Sequence, residues 1–160
     1  MRKWGIAIAF VLLLTGCGSQ ETLEKVEDEY AQPVMQEVRQ IRLSVGDDAL
    51  VLQGDAGTLY LCNGYTVTTE VLSAGDIGGT MRSLTGFDDS GLTVMQTMSE
   101  EFKFYECAWS AATEEGEQVG RAVILDDGIY HYCVTVMADA ADFSDLQETL
   151  QTILDSVVIL

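Results

Sequence analysis

The sequence predicts an α+β protein in which an antiparallel β-sheet has helices packed on its faces, as in an α/β/α sandwich. Three observations favour this class: an Asn63-Gly64 pair between two β-rich runs, three consecutive strand patterns within 102–137, and amphipathic helical patterns at 73–85 and 142–154. The strand patterns place apolar side chains on both faces, and such a sheet needs cover on each side. We therefore expect helices on both faces of one sheet.

The first strand is predicted shortly before residue 46. Ile41, Leu43 and Val45 alternate within 38–45, which is the spacing of one face of a strand. The Gly and Asp residues of 46–57 then favour turns around a short apolar run.

The strongest local pattern is the hairpin that follows. The runs 58–62 and 65–69 are rich in β-branched and aromatic residues, and an Asn-Gly pair joins them. This pair favours a type I′ turn, which needs positive φ at both central residues. We expect Cys62 and Tyr65 to face each other across the turn.

A helix is predicted over 73–85, where Ile77 and other apolar residues recur on one face. Ser73 or Asp76 suits its N-cap, and Gly86 suits its C-terminal end.

Four strands and a second helix complete the predicted domain. The strands are expected at 92–98, 102–112, 118–125 and 129–137, of which the last three form a meander. Asp142 is expected to cap a helix whose apolar stripe comprises Phe143, Leu146, Leu150, Ile153 and Leu154. A short strand from Val157 to Leu160 is expected to close the chain.

The beginning of the chain has the features of a secretory signal. Arg2 and Lys3 precede an apolar run that is too short to span a bilayer, since spanning needs about 20 residues. The segment Leu14-Thr15-Gly16-Cys17 resembles the lipobox of bacterial lipoproteins. That resemblance implies cleavage before Cys17, a diacylglyceryl group on its thiol, and attachment to the cell membrane on the extracytoplasmic face. An ordinary signal peptide with an incidental cysteine is the alternative.

These features predict three parts of the chain. Residues 1–16 form the signal peptide, 17–37 form the lipidated Cys and an acidic tether, and 38–160 form a single α+β domain. The length of the last part suits one domain.

The order of elements after residue 100 has a second resemblance. A hairpin, the aromatic-rich strand from Gly128 to Val136, an acidic link, a helix with Phe143 and a short apolar strand after Asp155-Ser156 are similar to the Mog1/PsbP-like fold. Members of that family share no catalytic residues and mostly bind or help to assemble partner proteins. The resemblance therefore implies a non-catalytic binding module, without naming its site.

The charge excludes several partners. The sequence holds 8 basic and 26 acidic residues, and removal of residues 1–16 leaves a net charge of −20. Such a domain repels nucleic acid and anionic headgroups. We therefore expect no nucleic-acid partner, and the lipid on Cys17 would provide the membrane contact. An envelope protein remains as the expected partner.

Lipidation of Cys17 would leave Cys62, Cys107 and Cys133. In the predicted meander Cys107 and Cys133 lie two strand spacings apart, roughly 9–10 Å, which exceeds the reach of a disulfide. Cys62 with Cys107 is therefore the preferred disulfide pair. Three reduced thiols packed as small apolar groups are the alternative.

His131 and Cys133 are the candidates for chemistry. They lie two residues apart and should share one face of a strand, where a thiol and an imidazole could serve as nucleophile and base. Same-strand neighbours are about 6–7 Å apart, which exceeds a hydrogen bond. The alternatives to a binding module are a thiol-dependent enzyme that uses Cys133 and His131, and a solute-binding accessory lipoprotein. No metal site and no cofactor are predicted.

Overall fold

The computed structural model describes residues 37–88, 91–114 and 116–160. The predicted signal peptide, lipidated Cys17 and most of the tether lie outside the described residues. The described elements follow the order β1 (Ile41–Arg42), β2 (Leu50–Gln53), β3 (Gly57–Leu61), β4 (Tyr65–Ser73), α1 (Ile77–Thr85), β5 (Thr93–Met98), β6 (Lys103–Thr113), β7 (Gly116–Asp126), β8 (Tyr130–Asp139), α2 (Ala140–Asp155) and β9 (Val158–Ile159).

Seven strands form one antiparallel sheet in the order β2-β3-β4-β8-β7-β6-β5, and β1 pairs with β9 in a separate ribbon. The predicted meander is present, because β6, β7 and β8 are consecutive neighbours. The first hairpin joins the other side of β8 through β4. The predicted fold class, an antiparallel sheet with helices on both faces, is confirmed.

The helix α2 covers one face of this sheet, which we call the α2 face. Val67, Val134 and Val136 of the central strands are fully buried there against Leu150 and other residues of α2. The apolar stripe predicted for the last helix is therefore the stripe that packs on the sheet.

The helix α1 covers the centre of the opposite face, the α1 face. Met81 packs against Tyr105, Ile124 and Cys133. Next to this cluster Trp109 packs with Cys107 and Ala122. Tyr105 and Trp109 thus belong to the core of this face, as aromatic residues of a covered sheet usually do, whereas Tyr132 is buried on the α2 face.

The hairpin turn differs from the predicted type I′ turn. The amide of Cys62 donates to the carbonyl of Tyr65 at 3.0 Å, so these residues do face each other. Gly64 has a φ of 83°, whereas no described non-glycine residue has a positive φ. Since a type I′ turn needs two positive φ values, Asn63-Gly64 forms another turn with a single left-handed residue.

Both helices begin at other residues than expected. The strand β4 continues to Ser73 because that residue pairs with Tyr130 of β8, and α1 therefore begins at Ile77. Asp76, one of the two predicted N-caps, caps it by accepting from the amide of Gly79 at 3.1 Å, and Gly86 ends it as predicted, with a φ of 77°. The helix α2 begins after Asp139, which places Asp142 in its first turn.

The segments before the hairpin also differ from the prediction. Only Ile41–Arg42 of the range 38–45 forms a strand. The short apolar run within 46–57, expected between turns, forms β2 at the edge of the main sheet.

Candidate functional site

His131 and Cys133 lie on the α1 face of β8, and both are fully buried. The imidazole Nδ1 is 2.8 Å from the hydroxyl of Thr80 in α1, and Nε2 is 3.8 Å from a carboxylate oxygen of Asp126. The thiol of Cys133 contacts the carbonyl oxygen of His131 at 3.6 Å. The imidazole is therefore held by Thr80, and its hydrogen bond joins α1 to the sheet.

The electrostatic environment of Cys133 opposes nucleophilic chemistry. Burial, with smaller contributions from Glu70 and Cys107, raises the pKa of Cys133 to about 12. A thiolate is the reactive form of cysteine. At neutral pH this side chain is a protonated, inaccessible thiol in the core.

The cysteines of the described segments are free thiols: Cys62 is half-buried, and Cys107 and Cys133 are buried. The order of strands separates Cys62, after β3, from Cys107 in β6 by three intervening strands. Four spacings of about 4.8 Å amount to roughly 19 Å, far beyond the reach of a disulfide. The expected Cys62–Cys107 pair therefore does not fit this fold, because β4 pairs with β8 and not with the β5–β6 side of the sheet.

Within residues 37–88, 91–114 and 116–160 no group of three or more His, Cys, Asp or Glu side chains is arranged to hold a metal ion. The acidic pair Asp126-Asp127 acts instead in the turn before β8. Asp126 accepts from the amide of Gly128 at 2.7 Å, and Asp127 accepts from the amide of Tyr130 at 2.7 Å. Turn formation thus accounts for these two carboxylates.

Within the part of the chain that the structure describes, the α1 face is left uncovered beside β4. Register places Glu70 opposite Cys133, so alternate residues of β4 continue the α1 face toward the sheet edge. On the neighbouring strands β3 and β2, four leucines lie on this same face: Leu50, Leu52, Leu59 and Leu61. We call these four leucines the apolar shelf. The helix α1 packs over β8, β7 and β6, and thus does not cover the shelf.

The outer part of the shelf is strongly exposed. Leu50 is 59% exposed and Leu52 is 47% exposed, while Leu59 and Leu61 are half-buried. On the opposite face of the same strand, Val51 is 47% exposed. Clustered exposed apolar side chains at one place on a soluble domain are typical of an interaction surface.

A shallow groove of about 540 Å³ extends from the shelf across the β2–β3 turn. Leu52 and Leu59 form its apolar wall, and Asp55 and Glu70 also line it. None of the described residues that line the groove is basic. The groove therefore combines apolar contact area with negative charge. Sequence reasoning missed it because the apolar residues of 50–61 look like an ordinary strand pair, and only the position of α1 shows that they lack cover.

No protein-family model and no curated protein sequence matches this chain. Solved structures share its fold, among them the following two. Cyanobacterial PsbP (CyanoP) from Synechocystis is similar with a TM-score of 0.58 and 7% identity, over 80% of this chain and 96% of that chain. LpqN of Mycobacterium tuberculosis, involved in cell envelope biogenesis, is similar with a TM-score of 0.51 and 14% identity, over 76% of this chain and 83% of that chain.

These similarities concern the fold. The chain has a PsbP-like α+β fold, as the order of elements predicted. The helices of the described segments include none that is both long enough and apolar enough to cross a bilayer.

Proposed function

We propose that this chain is a lipid-anchored envelope protein on the extracytoplasmic face of the cell membrane, and that its domain is a non-catalytic module that binds a partner protein. The observation that carries the proposal is the apolar shelf, whose outer leucines Leu50 and Leu52 are exposed on a strongly acidic domain. Exposure of this area to water costs free energy that a partner recovers by covering it.

Two further observations support the proposal. The Leu14-Thr15-Gly16-Cys17 segment has the lipobox pattern. The fold is shared with LpqN, a protein involved in cell envelope biogenesis. The alternative of a thiol-dependent enzyme is disfavoured by the burial of Cys133 and by its pKa of about 12.

Site-specific cross-linking tests the binding module in its own membrane. A photoreactive phenylalanine derivative replaces Leu52 on the shelf, and in a matched variant it replaces Met95, which is 60% exposed at the opposite sheet edge. We expect irradiation of intact cells to give a discrete protein adduct from position 52 and none from position 95. Absence of an adduct at position 52, or the same adduct from both positions, would contradict the proposal.

The anchor is tested by Cys17→Ser, with Cys62→Ser as the matched cysteine control. We expect the first variant to remain unprocessed or to be shed from the membrane, since it has no thiol to receive the lipid. The control should partition into detergent as the unchanged protein does. If Cys17→Ser still fractionates with the lipid phase as a processed chain, the anchor is wrong.

A further inference from the structure

We propose that the outer edge of β2 binds an extended segment of the partner by strand addition, and that this segment carries alternating apolar side chains with Lys or Arg at both ends. This inference rests on the proposed function and names how the shelf recognises its partner.

The backbone of β2 is available for pairing. The amide of Gly54 donates to the carbonyl of Gly57 at 2.9 Å, which fixes the phase of the β2–β3 ladder. Hydrogen-bonded and non-hydrogen-bonded pairs alternate in an antiparallel ladder. The backbone amides and carbonyls of Leu50 and Leu52 therefore form hydrogen bonds with β3. Val51 and Gln53 therefore direct their amides and carbonyls outward, away from the sheet.

The edge also lacks the features that usually prevent pairing. Natural sheets protect their edges with charged residues, proline or bulges. The sequence Leu-Val-Leu-Gln of β2 contains no charge and no proline. The strand rises about 3.3 Å per residue, so its four residues offer roughly 13 Å of edge. An added strand would place alternate side chains beside Leu50 and Leu52, which extends the apolar shelf by one strand.

Acidic residues lie at both ends of β2. Asp47 and Asp48 precede the strand, Asp55 follows it in the turn to β3, and Glu70 lines the groove. The described segments contain five basic residues, and four of them already lie within ion-pair distance of an acid: Arg39, Arg82, Lys103 and Arg121. Basic residues at the two ends of the added segment would complement these acids in either orientation of the segment.

The same charges disfavour two other occupants. A second copy pairing antiparallel through its own β2 would bring Asp47 and Asp48 close to Asp55 of the other copy, and like charges across strands are destabilising. An anionic bilayer would meet the same acids as a repulsive surface. A basic, extended protein segment is the occupant that the charges favour.

Peptide binding to the lipidated full chain in phosphatidylcholine nanodiscs tests the inference. The probe is a fluorescent peptide of alternating valine and threonine with two lysines at each end. One control peptide has glutamates in place of the lysines, and another carries N-methyl groups on alternate amides. We expect saturable binding of the probe alone, measured by anisotropy and weakened by added salt. Equal binding of either control peptide would overturn the inference.

A pair of proline variants tests the edge itself. Val51→Pro removes an outward amide without breaking a bond to β3, as proline is tolerated at such edge positions. Gln96→Pro is the matched variant in the other edge strand, β5. The hydrogen bond from the amide of Ser99 to the carbonyl of Phe102 at 2.9 Å sets the β5–β6 ladder so that the amide of Gln96 also points outward. We expect Val51→Pro to weaken peptide binding about fivefold to tenfold, as loss of one backbone hydrogen bond does. Gln96→Pro should bind as the unchanged chain does, and equal weakening by both would overturn the inference.

The outcomes separate this inference from the proposed function. An adduct at position 52 in cells, combined with no peptide binding and no effect of Val51→Pro, would leave the binding module standing and refute strand addition. Dimerisation that Val51→Pro abolishes would assign the edge to a second copy and refute the inference. Capture of the Cys17→Ser chain by protein-free phosphatidylcholine vesicles, lost in Leu52→Lys, would assign the shelf to lipid and refute it as well.

Discussion

Cys133 and His131 illustrate how the position of a side chain decides its chemistry. Spacing alone places the thiol and the imidazole on one strand face, and the structure confirms that placement. The contacts of the two side chains determine whether they can react. The imidazole is hydrogen-bonded to Thr80 of α1, and the thiol is buried under that helix. A buried imidazole with its hydrogen-bond partner on another element stabilises their packing.

The buried thiols give a prediction at the scale of the residue. Burial raises the pKa of Cys107 to about 11 and that of Cys133 to about 12, so both stay protonated well above neutral pH. We expect iodoacetamide at pH 7.5 to modify the half-buried Cys62 and to leave the other two unmodified until the chain unfolds. Peptide mapping by mass spectrometry, with and without urea, checks this. Rapid modification of Cys133 that His131→Ala slows would restore the thiol-enzyme hypothesis.

The same pKa values fix the direction of a pH effect. The ordinary pKa of these thiols is 9.0, and the folded chain holds their protons to higher pH than the unfolded chain does. The contribution of these two thiols to the free energy of unfolding is therefore complete below about pH 9. It is lost as the pH rises toward 11 and 12. Urea unfolding at pH 8 and pH 10 should give the lower free energy of unfolding at pH 10.

At the scale of elements, two glycines have opposite roles. Gly120 of β7 lies opposite Trp109 of β6, and a Cβ at Gly120 would come within 2.3 Å of the indole ring. Gly79 lies in α1, where the nearest atom to an added Cβ is a carboxylate oxygen of Asp76 at 3.8 Å. The first glycine provides space for the core, and the second only weakens a helix.

The same substitution should therefore have opposite effects at these positions. We expect Gly120→Ala to destabilise the fold by about 1–3 kcal/mol, since it displaces a buried ring. Gly79→Ala should stabilise it by up to about 1 kcal/mol through helix propensity. Urea unfolding measures both, and tryptophan fluorescence reports the displacement of Trp109. A loss of stability in both variants would contradict this account of α1.

At the scale of the whole molecule, negative charge is the dominant feature. The chain carries a net charge of −18 at neutral pH. Self-repulsion of this size keeps a domain soluble and opposes its compact state. It also limits the surfaces to which the apolar shelf can bind.

Salt should therefore stabilise the fold. The Debye length falls from about 30 Å at 0.01 M to about 8 Å at 0.15 M, which screens repulsion between surface acids. We expect the Tm to rise over this range, with each kcal/mol gained giving roughly 2–4 °C. Sodium chloride and potassium chloride should give equal shifts in thermal unfolding. A falling Tm would mean that the surface ion pairs, such as Arg82 with Asp88, outweigh the repulsion.

Local patterns in the sequence account for the fold class and for most of the elements, though not for β2. Alternation, the Asn63-Gly64 turn and the apolar stripe of α2 are local patterns, and they suffice to predict an antiparallel sheet covered on both faces. They also place the ends that depend on local chemistry, such as Gly86 after α1. Ends that depend on pairing were misplaced, because the length of β4 follows from its partner β8.

The packing of the whole domain determines which side of β8 the hairpin occupies and which leucines the described residues leave uncovered. That placement separates Cys62 from Cys107 and leaves the apolar shelf beside an open strand edge. Pairing of distant strands is determined by the packing of the whole core, and no local pattern encodes it. The local sequence also does not encode what covers an apolar strand face, since that face has the same pattern whether a helix or a partner protein packs on it.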